Sequence, residues 1–207
     1  MKYNLPKEYL SYSSFDLWNR DKDAFRRRYY ENEKPFETAE TIFGKTVHEE
    51  LSPDGETSIR INLNEDLVLL GYLDSFNEED LAIVDYKTGH LNSKGKAPWD
   101  KVRVQKHKQL VFYSLLVLLK HGEFNPEVQL KWLETKFKNK LMAFDGHVLH
   151  TESRELMLTG FEQTFTRKIF KWEIEKLKKE IISSAQAISK DYTLWQKRKS
   201  LPSHKTI

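Results

Sequence analysis

The chain has 207 residues, 39% hydrophobic and 13% aromatic, with a net charge of +3 and no cysteine. That is enough chain for one domain with a real core, and it excludes disulfides, cysteine-bound zinc and iron–sulfur clusters as built-in features. No apolar run follows a basic start, and the longest apolar stretch, Leu110 to Leu119, is interrupted by Tyr113 and Ser114, so the expectation is an intracellular protein with no membrane partner.

Ser13 and Ser14 can cap a helix over about 15–30, with Phe15, Trp18, Phe25 and Tyr29 on its apolar side. A second helix is expected from Thr38 to Leu51, with Ile42, Phe43 and Val47 inward, ending at the breaker run 52–55. Ile59, Ile61 and Leu63 then alternate with polar residues, which is strand spacing. A second strand is expected over Leu67 to Phe76 and a third, nearly all apolar, over Leu81 to Tyr86, joined by the polar turn 77–80. After a loop to Pro98, a long helix is expected from Asp100 to Lys120, ending near Gly122. Val128, Leu130 and Trp132 mark another strand, residues 148–158 offer one more, and a last helix is expected from Phe165 to Lys190. This order predicts an α/β (α+β) domain over 1–192, a central mixed β-sheet flanked by helices, with 193–207 as a mobile basic tail.

The chemistry concentrates at Asp74, Asp85 and Lys87. Side chains two apart on a strand share a face, so Asp85 and Lys87 project together, and Asp74 can reach them from the neighbouring strand. Two close carboxylates repel unless a cation or proton joins them, and such oxygen ligands suit Mg²⁺ or Mn²⁺. A lysine beside them can stabilise charge developing on a phosphate. An Asp-x-Lys triplet alone is usually a surface ion pair. Here an apolar, buried-type strand precedes it. His48 sits on an apolar-sided helix, where packing or capping is the ordinary role. Gln109 and Tyr113 share a helix face, continued by Gln105 one turn earlier. His147 and His150 would face different ways on a strand and find no third ligand, so they do not read as zinc ligands. Basic clusters at 26–28, 94–108, 131–140 and 197–199 can neutralise phosphates, though alone they read as solvated faces.

Four segments occur in order: Gly44-Lys45-Thr46-Val47-His48, Gly71-Tyr72-Leu73-Asp74, Val84-Asp85-Tyr86-Lys87-Thr88-Gly89, and Gln109 to Tyr113. Together they resemble the RecB-like branch of the PD-(D/E)XK nucleases, over about residues 11–132. The resemblance implies a restriction-endonuclease-like core. It also implies a metal-dependent deoxyribonuclease, exo- or endo-acting, of DNA repair, recombination, or phage or mobile-element DNA processing. Asp74 and Asp85 would ligate Mg²⁺ or Mn²⁺, joined by His48 and the Tyr86 backbone carbonyl. Lys87 would complete the catalytic set, and Gln109 and Tyr113 would position the substrate. The partner would be single- or double-stranded DNA, and any motor a separate helicase or recombination protein. Two features depart from the pattern: Asp74 follows Gly-Tyr-Leu, and the four-cysteine iron–sulfur clamp of many relatives is missing. The alternative is a non-cleaving nucleic-acid-binding or scaffold module. It leaves two carboxylates crowded near bound phosphates without purpose.

Overall fold

The computed structural model describes residues 2–52, 55–138 and 155–200. His147 and His150 lie outside the described residues. In chain order the elements are β1 (Leu10–Ser11), α1 (Tyr12–Arg20), α2 (Lys22–Tyr29), α3 (Ala39–Leu51), β2 (Thr57–Asn64), β3 (Leu67–Leu73), β4 (Ser75–Asn77) and β5 (Ala82–Gly89), then α4 (Lys101–Gln105), α5 (Lys108–His121), β6 (Glu127–Phe137), β7 (Leu156–Lys168) and α6 (Lys171–Ser200).

The strands form two sheets, ordered β1-β3-β2 and β4-β5-β6-β7. Both are mixed. β1 runs parallel to β3 and β5 parallel to β6, while the remaining pairs are antiparallel. The connection from β5 to its parallel neighbour β6 passes through α4 and α5, as a parallel pair requires. The expected mixed α/β architecture flanked by helices is therefore present, but as two sheets meeting at Asp74. The strand expected over 67–76 divides there into β3 and β4.

Other boundaries also differ. The expected helix over 15–30 breaks at Asp21, which closes α1 and caps α2, its carboxylate accepting from the Asp23 and Ala24 amides at 3.1 and 2.9 Å. An aspartate at that spot satisfies amides a continuous helix would not leave free. The expected helix over 100–120 breaks at Lys106 and His107 into α4 and α5. Residues 165–168, expected to begin the last helix, instead pair with 127–130 of β6. Phe165 and Arg167 turn inward there, in the two-residue period of a strand. The last helix runs past Lys190 to Ser200, so residues 193–200, expected in a tail, are helical. Tyr192 and Trp195 pack on Tyr30, with ring centroids 4.7 and 5.4 Å away. Asn4 adds bonds to Ser189, Thr193 and Gln196.

α5 is buried around most of its circumference, from Leu110 to Val117, because the sheets cover one side and α6 the other. It ends at Gly122, whose φ of +79° a residue with a side chain would adopt only with strain. The contact with β3 is closest at Gly71. A Cβ there would lie 2.3 Å from Leu116 Cδ1. The absence of a side chain at Gly71 thus sets how near the helix lies to the strand that delivers Asp74. Among the described residues no helix is long and apolar enough to cross a membrane.

Candidate active site

Asp74 occupies the joint between β3 and β4 and is nearly buried, at 6% exposure. Its carboxylate accepts the Tyr86 amide of β5 at 2.8 Å. Its carbonyl accepts the Ser52 hydroxyl, at the end of α3. The other carboxylate oxygen lies 3.4 Å from His48 Nδ1. That contact with Asp74 raises the His48 pKa above its ordinary value, although burial pulls the other way.

His48 reaches this point because α3 can lie close to β5. Gly44, one turn earlier, faces Thr88, and a Cβ there would sit 3.0 Å from the Thr88 hydroxyl. Gly44 and Gly71, the first residues of their motifs, thus share one role. Each removes a side chain where a helix crosses a strand, and each lies three or four residues before a polar group of the site.

Asp85 and Lys87 project together, as their spacing requires. Asp85 is completely buried on β5, opposite Leu130 of β6. Lys87 Nζ donates to its Oδ1 at 2.8 Å. Oδ2 has no hydrogen-bond partner among the described residues and lies 3.8 Å from His107 Nε2. Burial alone would push the Asp85 pKa up. Lys87 and His107 together outweigh it and hold the group below its ordinary value.

His48, Glu56 and Asp74 each offer a ligand atom, all within 4.8 Å of one another. One imidazole nitrogen with two carboxylates is a donor set that suits a divalent cation. Asp85 stands outside this trio, its oxygens directed at Lys87 and His107. The surrounding cleft has a volume of about 910 Å³, and its walls include Lys45, His48, Glu56, Tyr72, Tyr86 and Lys87.

Gln109 and Tyr113 do share a face of α5, and they bond to each other. The Gln109 amide donates to the Tyr113 hydroxyl at 2.6 Å. Tyr113 is buried, which first of all raises its pKa, with the charges of Asp85 and Asp74 adding to the shift. Gln105 does not continue this row. It ends the separate helix α4 and is exposed.

Two residues at the site escaped sequence reasoning. Glu56 is a lone acid between a turn and a strand, with no periodic neighbour to flag it. His107 lies in a stretch where nothing in the sequence announces a helix break.

The model of the PD-(D/E)XK nuclease superfamily matches residues 7–193. The chain belongs to this superfamily. PD-(D/E)XK proteins are divalent-metal phosphodiester hydrolases, which agrees with the trio of ligands beside a lysine. Among solved structures, one neighbour is a candidate exonuclease from Eubacterium rectale. It is 11% identical, the match covers 89% of this chain and 82% of that one, and the TM-score is 0.55. At that identity the likeness is one of fold. A phage-related exonuclease from Haemophilus somnus 129PT matches over 96% of both chains at 15% identity, with a TM-score of 0.48. No curated protein sequence matches the chain.

Proposed function

We propose that the protein is a Mg²⁺- or Mn²⁺-dependent deoxyribonuclease working in the cleft between α3 and strands β2 and β5. The observation that carries this reading is the meeting, at one cleft, of the His48–Glu56–Asp74 trio with Lys87, itself paired to buried Asp85. His48, Asp74, Asp85 and the Tyr86 backbone carbonyl would hold the ion, with Glu56 as an added ligand. When bound, the ion supplies Lewis-acid activation of the phosphodiester and of the attacking water.

The chain's own groups do the rest. Lys87 carries a fixed positive charge, aimed by Asp85, to where charge grows on the phosphate oxygens. Tyr86 N–H and the Ser52 hydroxyl hold Asp74 in place beside His48. The Gln109–Tyr113 pair on α5 is assigned a substrate-positioning role. A non-cleaving scaffold would have no use for a histidine and two carboxylates gathered where phosphates must pass.

The test is purified protein with end-labelled linear and with circular DNA, single- and double-stranded, with RNA alongside. Each is incubated with Mg²⁺, Mn²⁺ or EDTA. We expect metal-dependent cleavage of DNA, abolished in Asp74→Ala and Asp85→Ala. Cutting of the circle distinguishes endo from exo action. Full activity in EDTA refutes the mechanism.

A further inference from the structure

We propose that His107 is a positioning residue for Asp85, its Nε2–H steadying the second carboxylate oxygen while Lys87 steadies the first. The inference rests on the nuclease reading above and adds a residue to it.

The case begins with a mismatch. A buried carboxylate oxygen is costly to leave unpaired, and Asp85 Oδ2 has no hydrogen-bond partner among the described residues. His107 Nε2 is a second buried polar atom with no hydrogen-bond partner among the described residues. The two face each other at 3.8 Å. An approach of roughly 1 Å turns that contact into an ordinary hydrogen bond and satisfies both atoms at once.

The imidazole is held for this task. Trp99 meets the ring edge-on, with centroids 4.9 Å apart, and Tyr12 does so from 6.4 Å. Its backbone is fixed as well. The His107 carbonyl accepts from Arg167 Nη1 at 2.7 Å, and the same buried guanidinium pairs with Glu173 at 2.6 Å. The break between α4 and α5 falls at this residue, which caps α5 without any side-chain capping bond. A helix interruption that leaves the cap unused, yet points the ring at Asp85, serves the ring's placement.

The consequence concerns geometry. With Oδ1 on Lys87 and Oδ2 on His107, the carboxylate plane is fixed from both ends. The remaining lone pairs then point in one direction. Without His107 the plane can turn about its bond to Cβ, and Lys87 turns with it.

The experiment uses the full chain with two substitutions. His107→Phe keeps a ring against Trp99 and Tyr12 and removes the nitrogen. His107→Gln restores an N–H donor without the ring. Outer groups of this kind typically change affinity or activity by about 10- to 100-fold. We expect His107→Phe to keep its thermal midpoint, to bind Mn²⁺ at least about tenfold more weakly by calorimetry, and to lose turnover with little change in KM. His107→Gln should recover part of both losses. Wild-type Mn²⁺ affinity and turnover in His107→Phe overturn the proposal. So does a loss that follows only the thermal midpoint, equal in both variants, since that marks a packing role. If the wild-type chain binds no Mn²⁺ and cuts no DNA, the nuclease reading itself fails. Normal wild-type behaviour with an unaffected His107→Phe defeats only the role of His107.

Discussion

Gly71→Ala tests how the core sets the site. The added Cβ would stand 2.3 Å from Leu116 Cδ1, with Phe112 at 3.5 Å and Tyr113 at 3.6 Å. Ordinary carbon–carbon contact is about 3.5–4.0 Å, so more than 1 Å of overlap must be relieved. A leucine methyl at a surface would swing aside. Leu116 and Phe112 are both fully buried, and the neighbouring turns of α5 are buried too. The leucine therefore has to leave its rotamer or α5 has to back away from β3. Overpacking of this kind costs about 1–3 kcal/mol. Urea slopes of about 1–3 kcal/mol per molar turn that into a midpoint lowered by roughly 1 M. The assay is urea unfolding followed by tryptophan fluorescence, with Leu116→Ala and the double variant in parallel. Leu116→Ala alone should cost about 2–5 kcal/mol through its cavity. In the double variant the new methyl occupies part of that cavity, so the combined loss should fall short of the sum of the two. A Gly71→Ala change within about 0.5 kcal/mol, or strict additivity, would refute the claim that this glycine sets the helix–strand distance.

Three further outcomes follow from the site and its supports. Lys87→Met should lower single-turnover cleavage by about 10²–10³-fold while calorimetry still detects Mn²⁺ binding, because the lysine supplies charge rather than a ligand. Glu56→Gln removes an exposed member of the trio and should weaken Mn²⁺ binding by about tenfold or more; unchanged affinity would leave Glu56 outside the metal site. Asp191 accepts Arg26 through both oxygens at 3.0 and 2.7 Å and Tyr30 at 3.0 Å, tying α2 to α6. The Arg26 bond, foremost, lowers the Asp191 pKa below its ordinary value. A carboxylate lowered on folding gives its full stabilisation above the unfolded pKa of about 3.9 and loses it as pH falls through the folded value. Asp191→Asn should therefore cost about 1 kcal/mol at neutral pH, the pair being partly exposed, and the gap to wild type should close in unfolding titrations below about pH 4. A gap independent of pH would remove the ion pair as its cause.

Much of the site was legible because its parts obey local periods. Asp85 and Lys87 share a strand face, and Gln109 and Tyr113 share a helix face, so spacing alone puts each pair together. The apolar run before Asp85 marked a covered strand, and Asp85 is fully buried there. What escaped was set by contacts distant in sequence. Glu56 acquires meaning only once α3 brings His48 beside it. The strand identity of 165–168 comes from its ladder with β6, which holds Phe165 and Arg167 inward, and no helical or strand period within four residues decides that.

The breaks in regular structure carry a related message. Periodicity alone expects one strand through Asp74 and one helix through His107, because the apolar pattern on either side is continuous. The chain interrupts both. At Asp74 the interruption turns a carboxylate toward the Tyr86 amide and His48. At His107 it turns an imidazole toward Asp85. Each interruption forgoes regular backbone bonding, and neither contains the glycine or proline that usually causes one. Tertiary contacts must therefore hold them: Ser52 on the Asp74 carbonyl and Arg167 on the His107 carbonyl. Positions where local preference is overruled from a distance are expected at functional sites, and Asp74 and His107 are two of them. Here the two positions bear on two of the three carboxylates of the proposed metal centre, Asp74 as a carboxylate itself and His107 as the neighbour of Asp85. It follows that Ser52 and Arg167, though neither touches substrate in this reading, are as much a part of the site's construction as the motif residues.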